Sequence, residues 1–250
     1  MRVYLTLVRR EVSAFFLSLT GYAVIASVLL LLGWSFTDML VKSNGEPSTA
    51  PLTELFYDTP YFWLILLVIA PVITMRSFAL EKFSGTYETL MTAPVGDLQV
   101  VLAKFTGALL VFLLTWLPLL GCVLVVRHYT AERVVFDPRT AASTFLGLGL
   151  LGCLYMALGC FASAITRSQI LAAVNGLALG LTLFILGLRT LVPAPPSDWG
   201  GKAFAYISVV EHMDDFVRGV VDTRHIVFYL SLTGFFLFLT LKAVESRRWK

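Results

Sequence analysis

Charge is scarce in this sequence: 14% of its 250 residues are Asp, Glu, Lys or Arg and 58% are hydrophobic, where an ordinary soluble domain carries about 25% charge. One soluble core has no room for that apolar excess, so a water-soluble globular domain is excluded. Three cysteines, Cys122, Cys153 and Cys160, make neither a disulfide framework nor a four-ligand metal set. No GxxxxGK[ST] loop is present to cradle the phosphates of ATP, and no HExxH pair to hold a catalytic zinc. Ser84-Gly85 lacks the GxSxG setting of a nucleophile. The three histidines, His128, His212 and His225, fall in the opposite membrane half from it, so no nucleophile shares a site with a base. Glu211, His212 and Asp215 share a helix face with metal-binding character, but solvated charges on an amphipathic helix account for them. Nothing in the chain points to catalysis, and no cofactor bound by the chain itself is expected.

What is present is a set of six uncharged stretches: Val12 to Thr37, Thr59 to Met75, Phe105 to Val126, Thr140 to Thr166, Ser168 to Leu188 and Ile226 to Leu241. A helix needs about 20 mostly apolar residues to cross the hydrocarbon of a bilayer, and the two shortest stretches are helped by Tyr61 and Trp63, which suit the aromatic belt, and by Lys242, which can snorkel to the headgroups. None alternates like a barrel strand. The expected fold is therefore an all-α integral membrane protein, a single transmembrane domain over residues 1–250 with spans near 14–36, 59–78, 105–126, 140–165, 169–190 and 225–243. The first run is too long for the apolar region of a signal peptide and reads as a retained span. Ionisable groups are missing from the runs, which argues against proton relays and ion-coupled carriage and leaves any uphill work to a partner.

Val3, Tyr4, Leu7 and Val8 recur at helical spacing beside Arg2, Arg9 and Arg10, predicting either an N-terminal interfacial helix or an extension of the first span. With both termini in the cytosol, 11 of the 19 Lys and Arg residues and only 5 of the 16 acids fall inside. Basic residues concentrate on the cytosolic side of membrane proteins, which favours this orientation.

The inner loop from Arg76 to Lys104 holds the most information. Ser84 is placed to cap a short helix lying parallel to the membrane, Glu88 suits its positive end and Pro94 stops it. Tyr87, Leu90 and Met91 form an apolar face for a docking partner or for the membrane surface. The pattern Arg76, Phe78, Glu81-Lys82, Gly85-Thr86, Glu88, Leu90, Pro94, followed by Lys104, resembles the ABC-2 type transporter permeases. Its flavour is similar to the gliding-motility-associated permeases and the permease of nitrous-oxide reductase maturation. The resemblance implies a permease subunit, expected to be an exporter in the bacterial cytoplasmic (inner) membrane. Such a subunit pairs with a second permease chain, identical or different, and with cytosolic ABC ATPase subunits that bind ATP and Mg; no nucleic acid is involved. It makes the loop between spans two and three a coupling helix, and assigns Glu81, Gly85, Thr86, Tyr87, Glu88, Leu90, Met91 and Pro94 to contact with the ATPase. A membrane anchor that recruits an ATPase without moving a solute is the alternative, and an intramembrane enzyme is disfavoured for want of a site.

Beyond the fifth span, closely spaced prolines at Pro193, Pro195 and Pro196 mark a stiff exit. Phe204, Ile207, Val210, Met213, Val217 and Val220 then trace the stripe of an outer amphipathic helix ending near Gly219, either dipping into the membrane or lying solvated. Asn175, polar and deep in the fifth span, either lines a path between protomers or bonds across helices. Gly147, Gly149, Gly152, Gly159, Gly176 and Gly180 are the small residues that let membrane helices approach.

Overall fold

The computed structural model describes residues 2–42, 52–57, 59–86, 95–129, 137–188, 204 and 206–246. Among them are ten helices and no strand. In chain order these are α1 (Arg2–Phe16), α2 (Leu19–Lys42), α3 (Leu52–Tyr57), α4 (Pro60–Thr74), α5 (Ala79–Ser84), α6 (Asp97–Tyr129), α7 (Pro138–Ile165), α8 (Gln169–Leu188), α9 (Val209–Val217) and α10 (Thr223–Glu245). Six segments are long and apolar enough to cross a bilayer: Leu19–Val41, Pro60–Ser84, Asp97–Val125, Pro138–Ile165, Gln169–Leu188 and Thr223–Glu245. The chain is an all-α membrane protein. Its exposed apolar side chains, such as Leu30 on α2, Ile170 on α8 and Phe238 on α10, are what a bundle in contact with lipid presents.

α1 is separate from the first span. The chain bends at Leu17 and Ser18, where the Ser18 hydroxyl donates to the Phe15 carbonyl at 2.8 Å and accepts from the Gly21 amide at 3.1 Å. A Cβ on Gly21 would lie 2.1 Å from the Phe15 oxygen, so only glycine lets the turn close this tightly. α1 packs along the start of α6, with the Tyr4 and Thr106 hydroxyls 2.9 Å apart. That contact is possible because α6 has 33 residues; at 1.5 Å per residue it is about 50 Å long, well beyond about 30 Å of hydrocarbon.

α7 is the hub of the bundle and packs against α4, α6, α8, α9 and α10. Small residues on three of its faces make this possible. Phe112 of α6 lies over Gly152, Thr74 of α4 over Gly159 and Phe216 of α9 over Gly147, each within 2.8 Å of where a Cβ would stand. Gly149 faces open space, so it has no such part in the packing.

At the far end of the bundle, α9 starts at Ser208, whose hydroxyl accepts from the Glu211 amide at 3.2 Å and donates to the Gly187 carbonyl at 3.1 Å. It buries Val209, His212, Met213, Phe216 and Val217, whereas Val220 of the expected stripe is exposed beyond the Gly219 turn. The sequence reading put His212 among the solvated charges, but the structure buries it at 2% exposure. The reason is that α9 docks one full face on α7 and α8, and position 212 belongs to that face. The His212 and His225 rings are 4.0 Å apart, and His225 Nε2 lies 2.9 Å from Asp215 Oδ2. Among the described residues no three His, Cys, Asp or Glu side chains are placed to hold a metal ion. The proline exit at 193–196 and residues 43–51, between α2 and α3, lie outside the described residues.

Burial, followed by the neighbouring His225, pushes the His212 pKa from 6.5 down to about 4. Neutral His212 therefore stabilises the docked α9 fully above 6.5, and that stability is lost as the pH falls towards 4. Glu211, Asp215, Asp222, Arg224 and His225 surround the same small cavity. The thermal unfolding midpoint is expected to fall between about pH 7 and about pH 5, with a smaller fall in His212→Asn. Equal falls in the two proteins would show that His212 does not carry the effect.

Candidate functional site

The site lies at the α1 end of the bundle, where α4 breaks after Thr74 and α5 begins. The break is built on one residue of α7. The Ser163 hydroxyl accepts from the amides of Phe78 and Ala79, both at 3.0 Å, and donates to the Met75 carbonyl at 3.2 Å. These amides are the free donors that any helix start must satisfy. Lys82 Nζ donates to the Ala164 carbonyl, placing a cation at the negative end of α7. α5 is thereby anchored to the hub.

Four charged side chains from three helices meet beside it. Lys104 Nζ of α6 lies 3.0 Å from Glu11 Oε1 of α1 and 2.9 Å from Glu81 Oε1 of α5. One terminal nitrogen of Arg10 reaches the same two oxygens, at 3.1 and 3.0 Å. The Lys104 side chain is only 2% exposed, and its ammonium lies 5.3 Å from the centre of the Phe78 ring, within range of a cation–π attraction. A buried ammonium without two carboxylates and an aromatic face around it would be too costly to keep charged. Glu81 Oε2 is buried without a partner among the described residues. Close approach of α1 to α6 at this point depends on Gly107, whose Cβ would stand 2.8 Å from that of Glu11. The cluster opens on a cavity of about 630 Å³ that also takes in Arg76 and Thr86.

Of the residues that the loop motif singles out, Glu81, Gly85 and Thr86 are described; Tyr87, Glu88, Leu90, Met91 and Pro94 lie outside the described residues. Glu81 sits in the ion cluster. Gly85 closes α5 at φ 75°, a left-handed conformation that glycine takes without strain, and Thr86 Oγ1 lies 2.8 Å from Ser84 Oγ. Ser84 is the last residue of α5, closed by the left-handed turn at Gly85; the helix that it is expected to start runs into residues outside the described ones. Asn175 is not part of this cluster: it is half-buried on α8, and its side chain makes no hydrogen bond among the described residues.

Sequence reasoning placed Lys104 in the loop motif and Arg10 beside the N-terminal helix without giving either a partner, and it missed Glu11 and Ser163. Glu11 as the one acid among the first arginines, and Lys104 as the one charge entering a long apolar run, were signals that these two meet. Nothing in the sequence marks Ser163 among its small neighbours.

The description "ABC-2 family transporter protein" matches residues 11–217 of this chain. The chain belongs to the ABC-2 transporter family. A search of curated proteins gives no match. The matched stretch begins at Glu11 and runs to the end of α9, so it includes five of the six spans, most of the ion cluster and the outer helix. The protein is a transport permease subunit. Permeases of this family carry no ATPase site and generally pair with a cytosolic ABC ATPase, which accords with the missing phosphate-binding loop.

Proposed function

We propose that this permease is the membrane half of an ATP-driven exporter in a bacterial cytoplasmic membrane, with its α1 end and both termini in the cytosol. A separate ATPase docks on the segment that follows α5, through Tyr87, Glu88, Leu90, Met91 and Pro94, and binds the ATP and Mg. The basic excess at that end supports the orientation. The carrying observation is the Arg10–Glu11–Glu81–Lys104 cluster: it fastens the root of the docking segment to α1 and α6, so a push on the segment moves these helices with it rather than bending a loop. α4 and α8, the second and fifth spans, then border the path between two permease chains, with Asn175 on its wall. The likeness to gliding-motility and nitrous-oxide reductase maturation permeases rests on the loop motif alone.

The test is co-expression with a candidate ATPase, followed by co-purification and ATP turnover in reconstituted vesicles. Glu88→Lys is expected to weaken co-purification, because it reverses charge on the docking face. Glu81→Gln is expected to leave docking intact and to lower permease-dependent ATP turnover about tenfold, a typical size for coupling between sites. Unchanged docking and turnover in both would remove the segment from the role. Normal docking without any substrate-stimulated turnover in the wild type would make the chain an anchor rather than a transporter.

A further inference from the structure

We propose that the cavity between α1, α4, α5 and α6 holds the phosphate of an anionic phospholipid, with Arg76 as its counter-charge. Four of its five charged side chains cancel: Arg10 and Lys104 are each paired with Glu11 and Glu81. The fifth, Arg76, donates to the Thr20 hydroxyl and pairs with no carboxylate among the described residues. One positive charge is thus left over in a partly enclosed space of about 630 Å³, where it attracts an anion more strongly than it would in open water.

The walls decide what kind of anion. Phe15, Ile73, Ala108 and Val111 line the same cavity, and a bare phosphate would leave that apolar surface facing water. A lipid satisfies both halves, with its phosphate on the guanidinium fork and the upper part of an acyl chain on the apolar wall. The position agrees. At the bend between α1 and α2, Leu17 and Leu19 are 85% and 87% exposed, as expected where an amphipathic helix meets a bilayer surface. The site requires only that the protein sits in a membrane, and it stands whether or not an ATPase docks nearby.

The experiment is native mass spectrometry of the purified full chain in detergent, with equal amounts of phosphatidylglycerol and phosphatidylcholine. Phosphatidylglycerol is expected to be retained preferentially, and Arg76→Gln to lower its retention about fivefold, the value of one basic side chain at an anionic surface. Ala14→Trp narrows the apolar half from an exposed position on α1, and is expected to lower retention with Arg76 intact. Equal phosphatidylglycerol retention by the wild type and both variants overturns the proposal. Displacement of the lipid by an equal concentration of inorganic phosphate also overturns it, and assigns the site to free phosphate.

Discussion

Lys104→Met is expected to destabilise the permease by about 3–5 kcal/mol, the usual cost of removing one partner from a buried ion pair. The methionine fills much of the same space, so the loss comes from electrostatics rather than from a cavity. Without the ammonium, Glu11 and Glu81 face each other across Oε1 atoms that had shared it at 3.0 and 2.9 Å, with only the half-exposed Arg10 between them. Thermal unfolding of the purified chain in one detergent measures the change. Neutralising the carboxylates as well, in Glu11→Gln, Glu81→Gln and Lys104→Met together, is expected to recover most of the stability. That triple variant is not expected to recover coupling to an ATPase, since no charges remain to tie α5 to α1 and α6. A Lys104→Met protein that unfolds at the wild-type temperature would show that the cluster carries no structural load.

Gly159→Val is expected to cost about 1–3 kcal/mol or more, as overpacking of a filled interior does. Its Cβ would stand 2.0 Å from Thr74 Oγ1 and 2.6 Å from Thr74 Cβ, and Thr74 has no free space to retreat into. Its own hydroxyl is bonded to the Ala70 carbonyl at 2.8 Å, and it is 1% exposed. Thr74→Gly moves the notch to α4, and in the double variant is expected to return part of the loss, a coupling of about 0.5–3 kcal/mol between touching residues. Gly149→Val is the control on the same helix: it meets nothing within 4 Å, and a change within about 0.5 kcal/mol is expected. Equal losses at Gly149 and Gly159 would mean that the contact with α4 does not set the cost, since valine is a better helix former than glycine at both positions.

The spans were legible because a bilayer imposes a length and a polarity that a run of residues either meets or fails. Thr140 to Thr166 announces a span without reference to any other helix, and the structure has α7 there. The family was legible from the loop after the second span, where Glu81, Gly85 and Thr86 occur at motif spacing. The partners of Glu81 were not. Glu11 is 70 positions before it and Lys104 is 23 after it, and no periodic rule links residues on three helices. His212 shows the same limit on a smaller scale. Its helix was readable from the stripe, but the side chain looked solvated until α7 and α8 were seen to cover the face that it shares with Met213 and Phe216.

By itself the sequence determined that the chain is helical, that it crosses a membrane about six times, and that it has no nucleotide-binding loop, because each follows from local composition and spacing. The tertiary structure alone decided that α7 is the hub, that Ser163 seats the start of α5, and that Lys104 lies buried between Glu11 and Glu81. Those contacts are set by which side chains and which glycines of different helices come face to face, a property of helices packed together and not of any one of them.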